Sequence, residues 1–166
     1  MTKKFDDAID RGLADRAAKR RGLIQEELRS EGLSAAIFFS PEDIYILSGF
    51  HTPGHYAAEA LILPVSGEAC TVSREFERGN IEVAWIDDAV GYFDSESFEE
   101  KTLTACRDRD ITGKVKIQTD AWYVSPERYE RLRSMGDDFG IEWVAATRML
   151  DRFRLVKNEA ELQCSR

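Results

Sequence analysis

The sequence predicts an α/β layer fold with a mixed sheet of about five to six strands flanked by helices. Three observations carry this reading. Residues 35–39 (AAIFF) and 60–65 (ALILPV) are unbroken apolar runs, the pattern of strands buried on both faces. Stretches with helical periodicity and capping residues separate them from later strand-like segments. Ser66-Gly67 is a turn signal that pairs residues 69–73 back onto 60–65, which puts antiparallel strands into a β–α alternation.

In chain order, residues 5–31 read as a helix. Phe5, Ile9, Leu13 and Ala17 recur every four residues, and Ile24 and Leu28 continue that face. Gly12 and Gly22 each weaken its interior by about 1 kcal/mol against alanine, and a break or kink is expected near Gly12. Gly32 supplies the stop. Residues 40–50 (SPEDIYILSGF) form a short punctuated helix, with Ser40 as cap, Pro41 at the first position and Gly49 at the end. Pro64 belongs at a strand end or at an edge. Residues 74–80 read as a short helix or loop, and residues 81–86 as a strand with Ile81, Val83 and Trp85 on one side. Ser97-Phe98-Glu99-Glu100 is a capping box opening a helix to about residue 107. Val115 and Ile117 alternate with lysines in a half-exposed strand. Ser125-Pro126-Glu127 opens a helix with Gly136 past its end, and Ile141, Trp143 and Ala145 mark the last strand. Asn158-Glu159-Ala160-Glu161 is a second capping box, and the helix it opens is expected to continue beyond Arg166 into a longer protein.

Composition narrows the functional classes. A chain of 166 residues fits one domain. The net charge of −8 and the absence of a basic stripe argue against nucleic-acid binding. No segment has the apolar length of a membrane span, and the N-terminus lacks the apolar core of a signal peptide. Cys70, Cys106 and Cys164 are odd in number and widely spaced, so neither a disulfide framework nor a cysteine zinc site is expected. A reducing cytoplasm follows as the natural compartment.

No nucleophile elbow, phosphate-binding loop or dinucleotide fingerprint is present. His51 and His55 have the spacing of paired metal ligands, with Glu59 four residues further. Pro53-Gly54 between the histidines rules out a regular helix there, so a metal site on this loop is a minor reading. The loop instead reads as a ligand wall at a strand end, with Phe50, His51, His55 and Tyr56 as the candidate substrate-lining residues.

Two motifs resemble the amino-terminal domain of the creatinase, Xaa-Pro aminopeptidase and prolidase family of metallohydrolases. One is Gly32-Leu33 before the buried strand, followed by Pro41-Glu42-Asp43-Ile44-Tyr45 and Leu47-Ser48-Gly49-Phe50. The other is Arg154-Leu155-Val156-Lys157-Asn158-Glu159-Ala160-Glu161-Leu162. Asp43 stands where the family often has asparagine, and Ile46 replaces a common tyrosine. The resemblance implies a ribonuclease H-like α/β domain over residues 1–153. Residues 154–166 would then begin the linker helix to a catalytic domain absent from this chain.

The resemblance further implies a supporting role. This domain would contribute to a homodimer and to the wall of an active site for small peptides. Two divalent metal ions (Mn, Co or Zn) would sit in the catalytic domain, with no cofactor, metal ligand or catalytic residue here. The named partners are then the chain's own C-terminal catalytic domain and a second subunit. True creatinases carry an arginine in the loop after Ser48-Gly49, and none stands between Phe50 and Glu59. The reading is therefore an Xaa-Pro dipeptidase or aminopeptidase type. The alternatives are a creatinase or other small-amide hydrolase, and a peptidase-like protein-binding module without catalysis.

Overall fold

The computed structural model describes residues 7–53, 57–120 and 124–164. Helix α1 (Asp7–Ser30) leads through a left-handed Gly32 into β1 (Ala35–Phe38), and α2 (Pro41–Ser48) follows at once. The strands β2 (Ala60–Pro64) and β3 (Cys70–Arg74) form the hairpin. A 3-10 turn and the short α3 (Arg78–Ile81) lead to β4 (Ala89–Tyr92). Then come α4 (Phe98–Arg107), β5 (Gly113–Gln118), α5 (Pro126–Gly136), β6 (Ile141–Ala146), α6 (Asp151–Arg154) and α7 (Glu159–Cys164).

One six-stranded sheet has the order β4-β3-β2-β1-β5-β6. Strand β2 runs antiparallel to both neighbours, and every other pairing is parallel. This is the expected α/β fold with a mixed sheet. The apolar runs predicted as doubly buried strands are so: Ala35, Ala36, Ile37 and Phe38 are buried, as are residues 60–64. Alternate side chains feed two cores. Ile37, Ile62, Val72 and Val115 face α4 and α5, with Leu103 and Leu132 packed on them. Ala36, Phe38, Leu61 and Leu63 face α1 and α2, against Ile24, Leu28, Ile44 and Leu47. Each fully buried Leu or Ile contributes roughly 1.5–3 kcal/mol.

The helix punctuation is largely as expected. Ser97 and Ser125 accept hydrogen bonds from the Glu100 and Arg128 amides. Pro64 ends its strand, and Gly49 closes α2 at φ 73°. Ser40 departs from expectation. Its hydroxyl donates to Glu42 (2.6 Å) and caps no backbone amide.

Two elements differ from the sequence reading. Helix α1 is unbroken through Gly12 and Gly22. Gly12 instead admits α7, because a Cβ there would lie 2.9 Å from the Ala160 Cβ. Residues 82–86 are not a strand. Ile81, Ala84 and Ile86 pack on the α1–α2 core as the chain wraps over it, and β4 forms later, at Ala89–Tyr92. Alternating apolar residues thus reported a core-facing turn. The real strand contains Gly91, whose missing side chain leaves room for the Glu75 carboxylate. Strand β5 lies between β1 and β6 and is half-exposed as expected, with Gly113 and Lys114 exposed and Val115 and Ile117 buried. Lys116 still reaches Glu31 (2.6 Å) across α1, which is how a lysine is accommodated there.

Candidate functional site

The carboxyl ends of β1, β3, β4, β5 and β6 share one edge of the sheet with the amino end of β2. Ligands of α/β proteins bind outside this edge. The loop leaving α2 spans it, and its root is tightly fixed. The Gly49 amide donates to the Tyr45 carbonyl (2.7 Å) and the Trp85 amide to the Ser48 carbonyl (2.7 Å). The Trp85 ring covers Gly49 so closely that a Cβ there would sit 2.5 Å from a ring carbon. The Ser48 hydroxyl donates to the Ile44 carbonyl (2.6 Å) and accepts from the Phe50 amide (3.1 Å).

The four candidate wall residues divide. Phe50 is 1% exposed and belongs to the core beneath α2, so in this chain it anchors the loop. His51 is exposed. Its ring meets Tyr45 edge-on, with centroids 6.2 Å apart, and Tyr45 in turn lies 5.6 Å from Trp85. His55 and Tyr56 lie outside the described residues. Tyr45, His51 and Trp85 therefore form an aromatic shelf beside the loop. Sequence reading placed Trp85 in a strand and missed it. The signal was present in Gly49, a left-handed stop whose open face a large ring could cover.

Glu59 closes the loop where β2 begins. It is 7% exposed, and its Oε1 has no hydrogen-bond partner among the described residues. Burial, followed by the charge of Glu77, pushes its carboxyl up to about 8. Across the β2–β3 hairpin, the hydroxyls of Thr71 and Ser73 are likewise buried without partners among the described residues. Among the described residues, no group of three His, Cys, Asp or Glu side chains could hold a metal ion. The donors present in those residues do not fit a dinuclear centre.

The two motifs that seemed separate in the sequence are joined in space. Gln118, at the end of β5, accepts from the Phe39 (2.8 Å) and Ser40 (3.0 Å) amides and donates to Asp43 (2.7 Å). Asp43 also receives Arg154 (3.3 Å). Burial raises the Asp43 pKa, and Gln118 and then Arg154 oppose that shift. Arg20 donates to Glu161 (2.6 Å) and to the Phe153 carbonyl (3.1 Å). The second capping box is reciprocal: the Asn158 amide reaches Glu161 and the Glu161 amide reaches Asn158, each at 2.9 Å. Asn158 also donates to the Gly12 carbonyl (3.2 Å). Helices α1 and α2 thereby clasp the segment from α6 to α7. No described helix is long and apolar enough to cross a membrane.

Comparison with known proteins agrees with this geometry. YkvY of Bacillus subtilis (strain 168), which carries a provisional dipeptidase name, is 28% identical over 138 residues, covering 82% of this chain and 37% of that protein. A proline dipeptidase structure from Streptococcus pneumoniae superposes with a TM-score of 0.69 at 25% identity, over 82% of this chain and 98% of that one. A prolidase from Thermococcus sibiricus gives a TM-score of 0.70 at 19% identity, over 88% of this chain and 39% of that one. The chain thus spans well under half the length of YkvY and of the Thermococcus prolidase. The model of the Creatinase/Prolidase N-terminal domain matches residues 20–156, most of the clasped fold just described, and the chain belongs to that family.

Proposed function

We propose that this chain is the non-catalytic N-terminal domain of a metal-dependent Xaa-Pro dipeptidase-type hydrolase of the cytoplasm. In this reading it contributes to a homodimer and to the wall of the active site. Small peptides are the substrate, and two divalent ions (Mn, Co or Zn) sit in a C-terminal catalytic domain. The observation that carries the reading is the family match over residues 20–156, in a chain that covers only 37% of its dipeptidase-named relative.

The clasped segment supports it. Leu155 (81% exposed), Val156 (70%) and Leu162 (42%) present apolar side chains outward from it, a surface suited to a following domain. On the wall, Tyr45, His51 and Trp85 would offer ring faces to a peptide, while buried Phe50 holds their loop in place.

The test compares this chain alone with the protein that continues past Arg166. The expected result is Xaa-Pro hydrolysis and stoichiometric metal only in the longer protein. Cleavage of an Xaa-Pro peptide by the chain alone with added manganese or cobalt would overturn the reading. Within the longer protein, Trp85→Ala is expected to raise KM for the dipeptide with kcat little changed.

A further inference from the structure

The sheet has a second feature at the same edge, on the side away from the aromatic shelf. After β3 the chain passes over the face covered by α1 and α2, where Ile81, Ala84 and Ile86 pack. After the parallel neighbour β4 it passes to the opposite face, where Phe98 and Leu103 of α4 pack. Adjacent parallel strands whose connections leave to opposite faces open a crevice at their carboxyl ends, and such switch points are where α/β sheets bind small molecules.

The crevice is present here, with a volume of about 660 Å³. Arg74 and Tyr92, Cα partners at the ends of β3 and β4, form its floor. Its walls have opposite charge. On the α5 side stand Arg128 and Arg131, three residues apart and so on one helix face. On the side of the β4–α4 turn stand Asp94 and Glu96.

Several of these groups are already positioned. Arg128 lies over the Phe98 ring (5.2 Å) and near Glu99 (3.5 Å). Arg74 donates to Asp94 (2.6 Å), and Tyr92 donates to the Ala58 carbonyl (2.8 Å). The Arg131 guanidinium has no partner among the described residues. An apolar surface adjoins the crevice. Phe76 and Phe93, 88% and 63% exposed, line a neighbouring hollow that shares Arg74, Tyr92 and Asp94.

We propose that this crevice binds a small zwitterion with an apolar side chain, a free dipeptide or amino acid. Its carboxylate lies against Arg131 and Arg128, its ammonium against Asp94, and its apolar group over Phe93. Guanidinium–carboxylate pairing gives the first contact its direction. The opposed wall charges favour a ligand carrying both signs over a simple anion. The inference stands on the crevice itself, beyond the family reading.

Titration of the chain with L-proline and with Ala-Pro, followed by amide NMR shifts, tests it. Saturable shifts at Tyr92, Phe93, Asp94 and Arg131 are expected, and the stronger binder of the two identifies the ligand as amino acid or dipeptide. The C-terminal amide and the N-acetyl form of Ala-Pro should each bind at least about tenfold more weakly. Arg131→Ala should weaken Ala-Pro by a similar factor yet leave the amide form unaffected. Asp94→Asn should weaken Ala-Pro but not its N-acetyl form. Both substituted residues are exposed, so unchanged thermal melting is the control on folding. No saturable shift, equal binding of the blocked forms, or displacement by sulfate as effective as Ala-Pro would overturn the proposal. Because the chain alone is titrated, this result is independent of whether the longer protein hydrolyses Xaa-Pro bonds.

Discussion

Two buried carboxylates in opposite wings of the sheet, Asp43 and Glu59, are treated in opposite ways. In the wing of β1, β5, α1 and α7, Asp43 is held by Gln118 and Arg154, and Glu161 by Arg20 and Asn158. In the wing of β2, β3 and β4, Glu59 beside Glu77 has an oxygen without a partner among the described residues, as do two hydroxyls nearby. The first wing spends its polar groups on tying distant segments together. The second retains polar groups under the loop that spans the candidate site. Unpaired buried polar groups are costly, and here they lie at the edge where ligands are expected.

The largest expected effect of a single substitution breaks the paired wing. Gln118→Leu removes the acceptor for two amides and the donor to Asp43, and should cost about 4 kcal/mol of unfolding free energy in urea titration. A loss near 1 kcal/mol would show that water replaces the side chain there and that the wings do not differ as described.

The next concerns pH in the unpaired wing. The folded-state pKa of Glu59 is raised from 4.5 to about 8. Between those values the folded protein binds more protons than the unfolded chain. The stabilisation is therefore fully present below about 4.5 and is lost as pH rises through about 8, a change of about 5 kcal/mol. Asp43 is shifted in the same direction by burial. Glu161 is shifted down despite its burial, through the Asn158 amide and Arg20. Its contribution has the opposite sign and is lost as pH falls below its ordinary range. Melting temperatures from pH 5 to 9 should fall in the native protein and stay nearly level in Glu59→Gln. A parallel fall in that variant would assign the trend to other groups.

A smaller effect tests the clasp. Gly12→Leu drives a side chain into Ala160 and should cost about 2 kcal/mol by overpacking, with amide exchange accelerated in α7 more than in α4. The smallest belongs to the α4 cap. Ser97→Ala loses the bond to the Glu100 amide and should cost about 1 kcal/mol, read as a shift in the urea midpoint.

What was legible in the sequence follows the range of the interaction. Buried strands at residues 35–39 and 60–65 were readable because an unbroken apolar run is stable only in a doubly covered sheet. The caps at Ser97, Ser125 and Asn158 were readable because each acts within four residues. The aromatic shelf was half legible. His51 stood out by type, whereas Trp85 joins it only because the chain folds back over Gly49. The strand predicted at residues 81–86 failed because alternation reports which side chains are buried and not whether the backbone pairs. Gly12 misled in a similar way. Within its own helix a glycine is a weak point, and only the approach of α7 gives it a purpose.

The sequence by itself determined the layer class, the antiparallel hairpin, the helix ends and, through two motifs, the family. These depend on local conformational preference and on periodic burial. Tertiary structure alone decided the strand order, the union of the two motifs through Asp43, Gln118 and Arg154, and the isolation of Glu59. It also decided the charged crevice beyond Arg74 and Tyr92. Each of these brings together residues far apart in the chain, and their chemistry depends on neighbours that no local pattern encodes.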